Sequence, residues 1–252
     1  MTAESPTNRG DPTTLAAESL STGDDRGRVT IVPVTDERQL HLVGRLRYAV
    51  TVEEMGLNMV YADQSRQVVI EPLDRTGHVL AAFAGDEVVG TVRCNLLSRS
   101  NIGHYYESYA IDNFPSDVRA TMSITTRLAI DRRYRGRGLF WRLADGMYRY
   151  LLQQSVSHDV IDCRKPLARY FFRLGYRVHQ PDLKHREFGD VTVLYLAVTD
   201  ERFLRAIRSP FFDSLMEHRH QPVEATTPDG VSPEFACVRC ARENDHLRNN
   251  RQ

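Results

Sequence analysis

Residues Thr125–Tyr148 read TTRLAIDRRYRGRGLFWRLADGMY. The run Ser123–Ile130 predicts a strand, and Leu139 to about Val156 predicts an amphipathic helix with Leu139, Leu143, Met147, Tyr150 and Leu151 on one face. Between them lies Arg133-Tyr134-Arg135-Gly136-Arg137-Gly138. Glycines at 136 and 138 allow backbone amides to turn toward an anion. The helix start adds orphan N–H donors and a partial positive charge. Such a loop can cradle a phosphate or pyrophosphate. No Lys-Ser/Thr pair follows the glycines, so it is not a P-loop, and the third glycine of a dinucleotide fingerprint is missing. A plain strand-to-helix turn could carry the same glycines, so the loop alone leaves both readings open.

Outward from this segment the pattern alternates between strand and helix. Val29–Val34 reads as a first strand, and Asp36 caps a helix running to about Met55, with Gly56 as its stop. Residues 57–76 read as irregular. His78–Ala84 and Glu87–Leu97 form a hairpin around Gly85-Asp86, and 98–120 is a polar, tyrosine-containing connection. A short strand at Val160–Cys163 leads to a helix opened by Pro166 and closed before Gly175. Val191–Val198 is a last strand, and a helix from about Asp200 to Arg208 ends at Pro210. This order predicts one mixed α/β domain over residues 29–219, with a disordered leader at 1–28 and a flexible tail at 220–252.

Of the 252 residues, 41% are hydrophobic and 26% charged, which excludes a wholly disordered chain. No stretch approaches the ~20 apolar residues of a membrane span. Residues 1–28 lack the apolar core of a signal peptide, so the expected address is the cytoplasm. The formal net charge is zero, yet only Lys165 and Lys184 of the 33 basic residues are lysines. Seven arginines fall between Arg127 and Arg149, and from Arg164 to Arg186 the basic residues face one acid, Asp182. A locally basic face on a neutral protein suits a phosphate or an acidic partner. The arginines alternate with core positions, which argues against nucleic acid.

The strand, R-x-x-G-x-G loop and helix resemble the acyl-CoA loop of GNAT-type N-acyltransferases, and PLARYFFRLGYR (166–177) resembles that superfamily's closing helix. The front half is similar to acyl-homoserine lactone autoinducer synthases and FeeM-type N-acyl amino acid synthases. The resemblance rests on RLRYAVTVEEMG (45–56), on Glu71 and Asp74 before His78 and Leu80, on Gly90 with Arg93, and on Arg127 in TTRLAI. It spans about residues 30–210. It implies the GNAT fold, a mixed, mostly antiparallel sheet splayed at the acyl-thioester site with helices on both faces. It also implies an acyl-CoA or acyl carrier protein thioester as co-substrate, an amine acceptor and no metal.

On that resemblance Leu128, Ala129, Ile130, Arg133, Tyr134, Arg135, Gly136, Arg137, Gly138 and Leu139 bind the thioester. Glu71, Asp74, Arg93 and Arg127 form the catalytic group. Glu71 and Asp74 would hold the acceptor amine and pass its proton, or pair with Arg93 and Arg127 as an ion network, and the two roles can coexist. Two positions depart from the pattern. Ile124 stands where autoinducer synthases have a glutamate, and Phe171 where many acetyltransferases have a tyrosine. Lactone formation is therefore not implied. Cys163 reads as a buried structural thiol. Cys237 and Cys240 (CVRC) make half a zinc site at most.

The function expected is transfer of a medium or long fatty acyl group from a phosphopantetheine thioester to a primary amine such as an amino acid. An acyl carrier protein would be the acidic partner. The alternatives are acetyl transfer from acetyl-CoA to a small amine or peptide, and a ligand-binding module without turnover.

Overall fold

The computed structural model describes residues 29–220. The expected leader and tail, including Cys237 and Cys240, lie outside the described residues. The chain begins with strand β1 (Val29–Pro33) and helix α1 (Glu37–Tyr48), which continues as a π-helical turn over Ala49–Glu54. A two-residue hairpin, β2 (Ala62–Asp63) and β3 (Val68–Val69), leads into the short helix α2 (Pro72–Thr76). Next come β4 (His78–Ala84), β5 (Glu87–Leu96), the short helices α3 (Tyr105–Ser108) and α4 (Ser116–Arg119), and β6 (Met122–Ile130). Helix α5 (Leu139–Gln153), β7 (His158–Arg164) and α6 (Ala168–Leu174) follow. The domain ends with β8 (Arg177–His185), β9 (Gly189–Ala197), α7 (Glu201–Ala206) and α8 (Phe211–His220).

Seven strands form one sheet in the order β1-β4-β5-β6-β7-β9-β8, antiparallel throughout except for β6 beside β7. The two-residue period of β4 shows how the faces are divided. Leu80 and Ala82 pack toward Leu139, Leu143, Met147 and Leu151 of α5, while Val79 and Ala81 meet Val43, Leu46 and Val50. On the second face, beyond α1, the segment 98–120 lays Ile102, Tyr105, Tyr109 and Ile111 over Met122, Ile124, Val160 and Val193. Among the described residues no helix is long and apolar enough to cross a membrane.

Helix α1 starts where Asp36 accepts a hydrogen bond from the Gln39 amide at 2.7 Å. The expected single helix to Met55 is α-helical only to Tyr48, because the last turn widens to π geometry. Strand β8 and helix α8 were not expected. Pro181 and two register shifts against β9 break the alternation of β8, an edge strand. Helix α8 follows Pro210 directly and has a weak apolar stripe. The region 57–76 holds β2, β3 and α2 where irregular chain was expected.

Helix α6 ends at Gly175, whose φ of +114° lies in the left-handed region. Its amide donates to the carbonyls of Phe171 and Phe172, both at 3.1 Å. A Cβ there would sit 2.6 Å from Cδ2 of the fully buried Leu204. Gly175→Ala should therefore combine a left-handed backbone cost with core overpacking, roughly 2–4 kcal/mol together, read as a lower urea midpoint at unchanged slope.

Candidate active site

Beneath α1 and α2, on the face opposite α5, three arginines and three carboxylates are buried together. Arg47 projects from α1 and donates through Nη1 to both oxygens of Asp74, at 2.8 and 2.9 Å. Arg93, on β5 and 0% exposed, donates through Nη1 to Glu71 Oε2 and Asp74 Oδ1, both at 3.1 Å, and through Nη2 to Thr126 Oγ1 at 2.9 Å. Asp74 Oδ2 also accepts from the Glu71 amide at 2.7 Å, which closes the start of α2. Arg127 Nε meets Glu71 Oε1, and its Nη2 donates to Glu187 Oε2 at 2.7 Å. Glu187 lies in the β8–β9 turn, and its Oε1 accepts from the Val60 amide at 2.9 Å.

The geometry of Arg127 comes from a bulge. Arg93 pairs with Thr126 and Thr91 with Ala129, so Arg127 and Leu128 together stand opposite Val92. Arg127 takes a φ of +56°, uncommon for a residue with a side chain, and its guanidinium lies 5.5 Å from the Phe188 ring centroid. Burial works against the Arg127 charge, but Tyr105, Glu71 and Glu187 hold its pKa above the ordinary value. Burial likewise pushes the Asp74 and Glu187 carboxyls up, and the neighbouring guanidinium groups outweigh it and hold both below the usual carboxylate range. The structure thus brings Glu71, Asp74, Arg93 and Arg127 into one network. Every oxygen of Asp74 is bonded within it, so passing an amine proton, expected of Asp74, is at odds with its geometry.

Beside the network the sheet opens. Strands β6 and β7 pair only from Met122–His158 to Ile124–Val160. Past that rung β6 stays with β5 as far as Ile130, and β7 stays with β9 as far as Arg164. Their facing backbone edges are left free along this stretch, which forms a slot between two strands. At its closed end Asp159 accepts hydrogen bonds from Ser123 at 2.5 Å, Thr125 at 3.0 Å and Tyr176 at 2.7 Å. Burial pushes the Asp159 carboxyl up to about 6, although these hydroxyls act against it. Cys163 on β7 is buried in the core cluster on the α5 side of the sheet, and burial pushes its thiol up to about 12.

The open end of β6 leads to the glycine loop. Gly136 and Gly138 have φ of +75° and +81°, and an added Cβ at either would meet nothing within 4 Å. No side chain caps α5, so its first amides are free for a ligand. Arg135 is tied to the π-turn through Glu54 Oε2 at 2.9 Å, and Arg133 to Asp131 Oδ2 at 2.7 Å. Arg137 makes no ion pair among the described residues. Tyr134 packs partly buried against the α5 core and Leu139 is buried in it, while Leu128 is exposed and Ala129 faces α1. Ile130 closes the strand.

The profile of the family N-acyl amino acid synthase FeeM matches residues 43–198, which hold both the network and the slot. The chain belongs to this family. The structure of FeeM, an N-acyl amino acid synthase from uncultured soil microbes, superposes with a TM-score of 0.56 at 14% identity, over 74% of this chain and 98% of that one. The acyl-homoserine lactone synthase BjaI, described as CoA-dependent and solved with SAM and isopentyl-CoA, gives 0.57 at 17% identity over 76% and 99%. The AHL synthase LasI gives 0.54 at 15% over 71% and 93%. No curated protein shows significant sequence similarity to the chain. This FeeM-family protein is an acyltransferase built on a mixed, mostly antiparallel α/β fold.

Arg47 stands within the 45–56 stretch that carries the resemblance but received no role there, and Glu187 was not singled out. The spacing of Arg47 with Val43 and Val50 places it on the buried stripe of α1, a signal that was available. Nothing local marks Glu187.

Two outcomes follow from this geometry. Folding depresses the Asp74 and Glu187 carboxyls, so the stability they contribute is present above about pH 4 and is lost as acid titrates them through their lower folded values. Asp74→Asn leaves two buried guanidinium groups short of charge and should cost about 3–5 kcal/mol in urea unfolding at pH 7, with a shallower loss in acid. At the loop, Gly136→Asp and Gly136→Asn carry the same backbone cost. Calorimetry with a CoA thioester should show the aspartate weaker than the asparagine by at least about tenfold, or 1.4 kcal/mol.

Proposed function

We propose that this acyltransferase moves a medium or long fatty acyl group from a phosphopantetheine thioester to the amine of an amino acid or a similar primary amine. The observation that carries the reading is the parting of β6 from β7 beside an uncapped helix start. A pantetheine arm is an extended chain with two amides. It can lie between the strands as a further strand would, with its phosphate on the loop 133–138 and the amides of Leu139 and Phe140. The amine then attacks the thioester carbonyl directly, and no covalent acyl-enzyme is required.

Within that reading Glu71, Asp74, Arg93 and Arg127 position the acceptor side of the slot. Arg127 Nη1 is buried with no hydrogen-bond partner among the described residues, which leaves it with donors to spare. The acyl chain would leave on the α5–α6 side, past Phe140 and Phe171, whose rings meet edge to face at 5.5 Å. Around α6 the exposed Leu167, Tyr170 and Phe172 are interleaved with Arg164, Lys165, Arg169 and Arg173. An apolar patch rimmed by cations suits an acidic carrier protein delivering the thioester. The cytoplasm is where such a donor would be met.

Each buried methylene contributes about 0.8 kcal/mol, so eight more carbons offer roughly 6 kcal/mol before the chain's lost freedom is subtracted. With a fixed amine, kcat/KM should rise steeply from acetyl to decanoyl thioesters. A maximum at acetyl would replace this reading with acetyl transfer from acetyl-CoA, and binding without turnover at any length would leave a ligand-binding module.

A further inference from the structure

A thioester is attacked by a neutral amine, so an acceptor that arrives as an ammonium must first lose a proton. On the network face each of Glu71, Asp74 and Glu187 is already held by an arginine. Asp162 differs. It lies on β7 two residues beyond the last rung shared with β6, on the same face as Val160 and thus on the wall of the slot. Had the ladder continued, Thr126, which accepts from Arg93, would stand opposite it. Its Oδ1 accepts from the hydroxyl of fully buried Tyr109 at 2.7 Å. Its Oδ2 makes no hydrogen bond, and the carboxylate has no cationic partner, among the described residues. Asp162 is only half-buried, so the free oxygen is open to a ligand.

Resting on the acyl-transfer reading, we propose that Asp162, fixed by Tyr109, receives the acceptor's ammonium group and takes its proton. One N–H proton passes to the carboxylate, leaving a neutral amine and a carboxylic acid. The nitrogen lone pair forms the C–N bond at the thioester carbonyl. The tetrahedral oxyanion collapses, the C–S bond breaks, and the departing thiolate takes the second proton from nitrogen. Asp162 returns its proton to water. The groups around it are Tyr105 and Tyr109 from the 98–120 segment, His185 at the end of β8 and Arg127 from β6. The Asp162 charge acts on the two tyrosines and the histidine, and Arg127 acts on the same three. The Tyr105 hydroxyl, with no hydrogen bond among the described residues, stays protonated, since burial pushes its pKa up to about 12.

The test compares acceptors in full-length protein with one acyl thioester. Asp162→Asn keeps an oxygen for the Tyr109 hydroxyl. It should lower kcat/KM for an α-amino acid by about 100-fold or more, yet by less than about threefold for the aminooxy analogue, which is unprotonated at neutral pH. The KM of the thioester should not change. Equal losses for both acceptors, or no loss for either, overturn the proposal. Tyr109→Phe gives an independent reading. Without the hydroxyl that fixes the carboxylate, kcat/KM should fall for the α-amino acid and stay within about threefold for the aminooxy analogue. Equal losses for both acceptors, or none for either, overturn the assignment. Failure of the wild type to acylate any amine removes the acyl-transfer reading itself, whereas an active wild type with an indifferent Asp162→Asn removes Asp162 alone.

Discussion

The buried association of Arg47, Arg93 and Arg127 with Glu71, Asp74 and Glu187 is the constraint on which the rest of the site depends. Removing six charges from water costs several kcal/mol per ion, and attraction between them offsets this only when geometry and hydrogen bonding are both good. Such a cluster is a poor source of net stability and a strong source of position. Its members come from α1, α2, β5, β6 and the β8–β9 turn, so each of these elements is held to the others at one place. Arg127 can keep a left-handed backbone because two carboxylates grip its side chain. The bulge that Arg127 occupies is also where β6 has no partner on the β7 side.

That arrangement separates the two sheet faces by task. Toward α5 the sheet presents Leu80, Ala82, Val89, Val92 and Cys94, an apolar surface that packs without directional demands. On the opposite face the polar residues accumulate around the slot, each with a specified partner. Asp159 sits on the apolar side, one rung before the last that β6 and β7 share, where its three hydroxyl donors tie β6, β7 and the chain after α6 together. Past this clamp the strands separate, and their facing backbone edges are left unpaired among the described residues.

Legibility in the sequence followed the range of the interactions. The loop 133–138 could be read because strand, glycines and helix are contiguous, and their physics is local. The β4–β5 hairpin was equally plain. Glu71, Asp74, Arg93 and Arg127 were found as a pattern, and the structure gives the reason they belong together. Glu187 and Asp162 could not be read, because what makes each informative is a partner far along the chain: Arg127 for one, Tyr109 for the other. Arg47 is an intermediate case: its helical phase puts it on the buried stripe of α1, but its partner Asp74 lies 27 residues away. Strand β8 escaped because an edge strand with a proline and two register shifts carries no clean alternation.

The arginine-rich character of 127–149 also looks different once partners are known. Arg127 belongs to the buried network, Arg133 to Asp131 and Glu87, Arg135 to Glu54, and Arg149 to Asp145 and Glu217. Arg142 donates to the Val29 carbonyl. What remains near the glycines, among the described residues, is Arg132 and Arg137, both exposed. Exposed ion pairs contribute little to stability, but each one cancels charge that a polyanion would otherwise meet. A surface that leaves two cations beside free helix amides is matched to a compact phosphate, and poorly matched to a nucleic acid that needs a continuous basic track. Pairing, more than the number of arginines, therefore determines which anion this loop can hold.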